Sequence, residues 1–194
     1  MSKVYSEGEA FLKGAIVSAG LTGFIDNEHF RDTPKRVFKF WQEFINPDVD
    51  LTAILKNGFG DDSPHTETGA MVVQTNIPFR GLCAHHLLPF IGKATIGYLP
   101  RERVVGLSKM ARLVDAAGTR LPSTQEEITN LIADTMHKGL QTNGVIVVTN
   151  AIHMCMAARG VNAPGTETRV SAIRGNFIHS PAARTEFFQV VGNG

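Results

Sequence analysis

Four short segments of the chain carry residue types able to do chemistry. In Cys83-Ala84-His85-His86 a thiol and an imidazole stand three positions apart. That spacing lets a tight turn offer two ligands to one metal ion. The segment Ala151-Ile152-His153-Met154-Cys155 offers a second such pair. If it is extended, His153 and Cys155 point to one face, about 6–7 Å apart along the strand. Two thiolates and one imidazole on zinc leave a fourth position for water, the pattern of a catalytic site rather than a structural one. The plain alternative is that the two cysteines are small buried hydrophobes and the histidines are satisfied core residues. These clusters use every cysteine in the chain, and by themselves they leave both readings open.

The third segment is Gly106-Leu107-Ser108-Lys109-Met110-Ala111-Arg112. Lys109 and Arg112 are i, i+3 neighbours near a helix start, where their charge and the free backbone N–H groups suit a phosphate. Standing alone, the segment reads better as a solvated helix face. No G-x-x-x-x-G-K-[ST] run is present, so any nucleotide is held without a P-loop. The fourth segment, Ser123-Thr124-Gln125-Glu126-Glu127, allows two capping boxes: Ser123 with Glu126, or Thr124 with Glu127. If the second forms, Glu126 is free to face a ligand. His65-Thr66-Glu67 has the H-x-E form of zinc deaminases, but the P-C-x-x-C that must follow is absent.

The elements that position these residues change period along the chain. Residues 8–19 read as a first helix weakened by Gly14. Thr33-Pro34 starts a second, with Thr33 as cap, and Val37, Trp41, Phe44 and Ile45 follow at helical spacing until Asn46-Pro47. A loop rich in Gly, Asp and Ser spans 57–69. Strands are expected at 71–75 and 91–99, where Ala94, Ile96 and Tyr98 share a face. Helices follow at 107–117 and 123–140, strands at 145–152 and 168–177, and a last helix at 181–191. This order predicts an α+β fold with antiparallel hairpins.

Composition narrows the class. The 194 residues carry 19 basic and 18 acidic side chains, a formal net charge of +1. This excludes a generic nucleic-acid coat or polybasic membrane binder, though not a local basic pocket. Two cysteines cannot build a disulfide framework or an all-cysteine zinc tetrad. The N-terminus shows no apolar signal region, and the uncharged run from Lys138 to Arg159 is broken by Gln141, Asn143, Gly144, Asn150 and His153. The expectation is a soluble cytoplasmic protein with reduced thiols, bound to neither nucleic acid nor membrane.

Taken in order, Cys83-Ala84-His85-His86, Gly97-Tyr98-Leu99-Pro100, Gly106-Leu107-Ser108-Lys109, Gln125-Glu126 and His153-Met154-Cys155 with Arg159-Gly160 resemble the successive signatures of the GTP cyclohydrolase I family. The resemblance runs from Asp32 to the C-terminus. It implies a tunnelling fold, with antiparallel hairpins and helices packed on one side of the sheet. It also implies a toroidal homo-oligomer, usually a decamer, with active sites at subunit interfaces. The domain organisation it suggests is an N-terminal helical region at 1–60 and a catalytic domain at 61–194. The implied reaction converts GTP and water to 7,8-dihydroneopterin triphosphate and formate.

Carried over by position, the resemblance makes Cys83, His86 and Cys155 the ligands of Zn2+, with His85 and His153 as an acid/base pair. Gln125 and Glu126 would read the guanine edge. Ser108, Lys109, Arg112 and Arg159 would face the ribose and triphosphate, joined by Arg36 and Lys39 from a neighbouring subunit. The residue types suit the chemistry. Zinc lowers the pKa of bound water towards about 7. Imidazole moves protons in both directions near neutrality. A carboxylate accepting from guanine N1–H and N2–H2 would reject adenine. Three departures mark this chain. Ala84 stands where that family usually has Glu, Glu127 stands where it often has Arg, and 121–124 looks one residue longer than usual. Two further readings share these features: another tunnelling-fold enzyme acting on a pterin or deazapurine, and a non-catalytic zinc- and nucleotide-binding homologue.

Overall fold

A computed structural model of the chain describes residues 3–24, 27–56, 70–101 and 104–192. The loop expected at 57–69, His65-Thr66-Glu67 within it, and the domain boundary expected at 60/61 lie outside the described residues. The chain divides into two compact units, Met1–Ile45 and Asn46–Gly194.

The first unit holds α1 (Lys3–Ser18) and α2 (Thr33–Gln42). They approach closely at Gly8, where a Cβ would stand 2.6 Å from the Phe38 ring. Leu12 and Phe44 are buried within the unit. Asp32, rather than Thr33, is the N-cap of α2, and Pro34 occupies the opening turn. The helix ends at Gln42, four residues before Asn46-Pro47, and Ile45 is exposed.

The second unit is built on an antiparallel sheet of four described strands in the order β1-β2-β3-β4. These are β1 (Val72–Leu82), β2 (Pro89–Leu99), β3 (Gly144–His153) and β4 (Glu167–Gly175). β1 runs seven residues beyond the 71–75 expected. Pro78 hides this in the sequence because proline cannot donate to a central ladder, but β1 is an edge strand and tolerates it. A bulge between Gln74 and Ile77, with Asn76 at φ 57°, resets the register so that Ile77 and Phe79 face the core.

One sheet face is covered by α3 (Leu51–Lys56), α4 (Leu107–Gly118) and α5 (Gln125–Leu140). Their apolar stripes, including Met110, Leu113, Val114, Ile128, Ile132 and Met136, are fully buried against Ala94, Ile96, Tyr98, Val145 and Val147. Helix α3 was not visible in the sequence pattern; its six residues are too few to show a period. The expectation of helices on one side needs a correction. The C-terminal helices α7 (Asn176–His179) and α8 (Pro181–Gly192) bury Phe177 and Phe187 with Ile146 in a second cluster. Ile146 alternates with Val145 and Val147, so that cluster lies on the opposite face. Gly97, paired with Ile146, admits the Phe187 ring there.

Candidate active site

Register alone gathers the chemistry at one end of the sheet. Leu82 pairs with Pro89, and the next β2 residue, Phe90, pairs with His153. The hairpin loop 83–88 and the end of β3 must therefore be neighbours. The loop is closed by Cys83 N–H donating to the Leu88 carbonyl at 2.9 Å and Leu87 N–H donating to the Cys83 carbonyl at 2.8 Å. Leu87 takes a left-handed φ of 51° to make the turn. A parallel bridge joins Cys83 to Ser123, with Ser123 N–H on the Leu82 carbonyl and Ala84 N–H on the Ser123 carbonyl. This brings the start of α5 to the same place.

Cys83, His86 and Cys155 converge there, with one ligand atom from each lying within 4.8 Å of the others. Cys83 Sγ is 3.7 Å from His86 Nδ1. Ligands of a tetrahedral zinc, with bonds of about 2.0–2.3 Å, stand about 3.5–4 Å apart, so the donor set fits the ion. Burial and the Cys83 thiol beside it push the Cys155 thiol above its ordinary pKa, with Arg159 opposing. A divalent cation between the two sulfurs is what such a pair needs in order to ionise together. The backbone differs from the extended segment expected. β3 ends at His153, and Met154–Ala157 forms a single helical turn, α6, that carries Cys155. The reason is pairing: the ladder to β4 ends at Ile152 and the ladder to β2 at His153.

His153 is held from two sides. Its ring stacks on Phe90 at 4.7 Å and 21°, and its Nε2 lies 2.8 Å from Gln125 Oε1. Burial pushes its pKa below the usual imidazole value, and the Glu126 charge opposes the shift. Gly81 leaves space for the Phe90 ring, since a Cβ there would meet Phe90 Cζ at 2.3 Å. His85 is exposed, its Nδ1 3.9 Å from Cys83 Sγ. These groups and Glu126 line a cavity of about 140 Å³. A larger cavity of about 420 Å³ also touches Ser123, but its walls, from Ala117 to Leu131, carry no thiol or imidazole.

Of the two possible capping boxes, Thr124 with Glu127 forms. Glu127 N–H donates to Thr124 Oγ1, and Thr124 N–H donates to the Glu127 carboxylate, which also accepts from the Ser123 hydroxyl. Those bonds hold the Glu127 carboxyl below the usual glutamate range. Glu126 is thereby left exposed at the cavity. Gln125, expected at the guanine edge, also lines the cavity. Its side chain is 1% exposed and turns inward, bonded to Thr149, Thr168 and His153, because the first residue of α5 faces the sheet. Ser108, Lys109 and Arg112 lie on the opening turns of α4, and Arg159 follows α6; none of them lines the cavity. Arg36 and Lys39 lie on α2 in the first unit.

Comparison with known proteins decides the family. The model of the GTP cyclohydrolase I family matches residues 19–192. This chain belongs to the GTP cyclohydrolase I family. It is 46% identical over 168 residues to the GTP cyclohydrolase 1 of Brevibacillus brevis, covering 86% of this chain and 87% of that one. It is 45% identical over 170 residues to the GTP cyclohydrolase 1 of Bacillus pumilus, covering 87% of each. A solved archaeosine synthase QueF-Like structure in its apo form aligns over 54% of this chain and 93% of that one, with a TM-score of 0.45 and 16% identity. Set within the family, the residues that sequence reasoning missed are supporting ones. Phe90, Thr129 and Thr149 have no chemical signature of their own; only the cross-strand and helix–sheet contacts reveal them.

Proposed function

We propose that this chain converts GTP and water to 7,8-dihydroneopterin triphosphate and formate, with Zn2+ as its metal. The observation that carries the reading is the meeting of Cys83, His86 and Cys155 in one cavity with His85, His153 and Glu126. A zinc ion held by two thiolates and an imidazole supplies a Lewis acid and an acidified water at neutral pH.

The protein's own groups account for recognition and proton movement. Glu126 accepts from guanine N1–H and N2–H2, and its exposure beside the cavity leaves both oxygens available. His153 moves a proton at the ring nitrogen beside carbon 8; its depressed pKa makes its protonated form a better donor. His85, next to ligand His86, serves the sugar oxygen when the ribose opens. Ser108, Lys109, Arg112 and Arg159 hold the ribose and triphosphate, with Arg36 and Lys39 supplied by a neighbouring copy. The backbone N–H groups opening α4 add to that anion site.

We also propose a homo-oligomer, a decamer as the family resemblance implies, with active sites shared between subunits. The order β1-β2-β3-β4 leaves β1 and β4 as sheet edges among the described residues, which suits pairing with another copy. No described helix is long and apolar enough to cross a membrane. A cytoplasmic setting would keep Cys83 and Cys155 reduced for the metal.

The test is incubation of the zinc-loaded protein with GTP, followed by formate measurement and pterin fluorescence after oxidation. Formate and a pterin triphosphate are expected. Zinc bound without either product would favour the non-catalytic reading. A pterin product from another substrate would favour a different tunnelling-fold activity.

A further inference from the structure

Gln125 is 1% exposed, yet every polar atom of its side chain has a partner. Its amide nitrogen faces Thr149 Oγ1 at 2.9 Å, the Thr168 carbonyl at 3.1 Å and the Thr149 carbonyl at 3.3 Å. Carbonyl oxygens only accept, so this end of the amide must be the NH2. The other end is the side-chain carbonyl, 2.8 Å from His153 Nε2.

A ring of hydroxyls fixes the same polarity. Thr129 Oγ1 gives its one proton to the Gln125 backbone carbonyl at 2.7 Å. In its 2.8 Å contact with Thr149 Oγ1 it must then accept. Thr149 Oγ1 therefore donates to Thr129 and receives from the Gln125 amide. The circuit runs in one direction, from the Gln125 NH2 through two threonine hydroxyls back to the Gln125 main chain. An amide flip would set its oxygen against two carbonyl oxygens and break the circuit.

We propose that Gln125 is a positioning residue that locks neutral His153 in the form with its proton on Nε2, leaving Nδ1 as the atom that exchanges protons with substrate. A free neutral imidazole divides between two tautomers; here the one acceptor beside Nε2 selects one. The Phe90 stack holds the ring plane while the Gln125 carbonyl holds its rotation. The proposal rests on His153 being the proton carrier assigned above.

Magic-angle-spinning NMR of zinc-loaded protein labelled with 15N-histidine reads the tautomer directly. The His153 signals are assigned by their loss in His153→Gln. A neutral His153 protonated at Nε2 alone is expected; protonation at Nδ1, or an even mixture, overturns the proposal. Gln125→Leu should release both tautomers and lower kcat roughly ten- to a hundredfold. The KM for GTP should change less than about threefold, since the Gln125 amide is taken up by Thr149, Thr168 and His153. If Gln125→Leu does not fold, the wild-type spectrum decides alone. Wild-type turnover by His153→Gln would remove the catalytic role of His153 and leave the tautomer measurement standing.

Discussion

Gln125 and His153, twenty-eight residues apart in sequence, meet at 2.8 Å between the first turn of a helix and the last residue of a strand. Cys155, two residues further on, faces the thiol of Cys83. The last residue of β3 and the α6 turn that follows it thus carry the proposed proton carrier and a proposed metal ligand. Substitutions on that short stretch separate the two roles.

Cys155→Ser removes one sulfur from the three-donor set. Bound zinc and GTP turnover should both fall below detection while the far-ultraviolet circular dichroism stays native. Metal analysis of the purified variant checks this. An active, metal-free variant would contradict the ligand set.

His153→Ala should retain zinc, because none of the three donors is altered. Formate release should drop at least about a hundredfold, the usual cost of deleting a general acid or base. Quantifying metal and formate on the same preparation separates this outcome from a structural collapse.

Glu126→Gln keeps the shape of the side chain and removes its charge. It should reduce kcat/KM for GTP at least about tenfold, a charge-assisted contact being worth about 1.5–3 kcal/mol. Helix stability should not change, because the cap of α5 uses Thr124 and Glu127. Thr124→Ala should do the reverse in part, lowering stability by about 1 kcal/mol through loss of the cap. Urea titration beside steady-state kinetics distinguishes the pair.

Gly81→Ala drives a methyl group into the Phe90 ring, 2.3 Å from Cζ. The expected cost is about 1–3 kcal/mol of stability. Phe90 stacks on His153, so kcat should fall as well. A variant with unchanged kcat and lowered stability would show that the stack is only packing.

Arg174 grips Asp134 through two hydrogen bonds, 2.8 and 3.2 Å, and fastens β4 to α5. Its guanidinium holds the Asp134 carboxyl below the usual aspartate range. A lowered folded pKa means that the stabilisation is complete above the unfolded aspartate value and is lost as pH falls through the folded one. The pair is partly exposed, so its share is at most about 1 kcal/mol. Wild type should therefore lose more stability than Asp134→Asn between neutral pH and the acid limb, as followed by denaturant midpoints.

The strands and helices of the second unit were readable because their patterns are strong. The alternation of Ala94, Ile96 and Tyr98 marked β2, and the stripes of Met110, Leu113 and Val114 and of Ile128, Ile132 and Met136 marked α4 and α5. Reading failed where a local signal pointed the other way. Pro78 masked an edge strand, and six residues of α3 gave no period. At Met154 a strand-like run became a helical turn once its ladder partners ended.

The sequence by itself determined the chemical inventory: two thiols and two imidazole clusters, a helix start bearing Lys109 and Arg112, and an acid pair behind Thr124. Residue type and spacing suffice for that, because ligand chemistry and capping are local. Tertiary structure decided which groups meet and which way they turn. The pairing of Leu82 with Pro89 and of Phe90 with His153 carries Cys83 to Cys155. Packing of α5 on the sheet turns neighbouring residues different ways. Glu126 is left at the cavity, and Gln125 is turned inward to Thr149 and His153. Adjacent positions on a helix point about 100° apart, so only the surface against which the helix packs decides which of the two is buried and which is exposed.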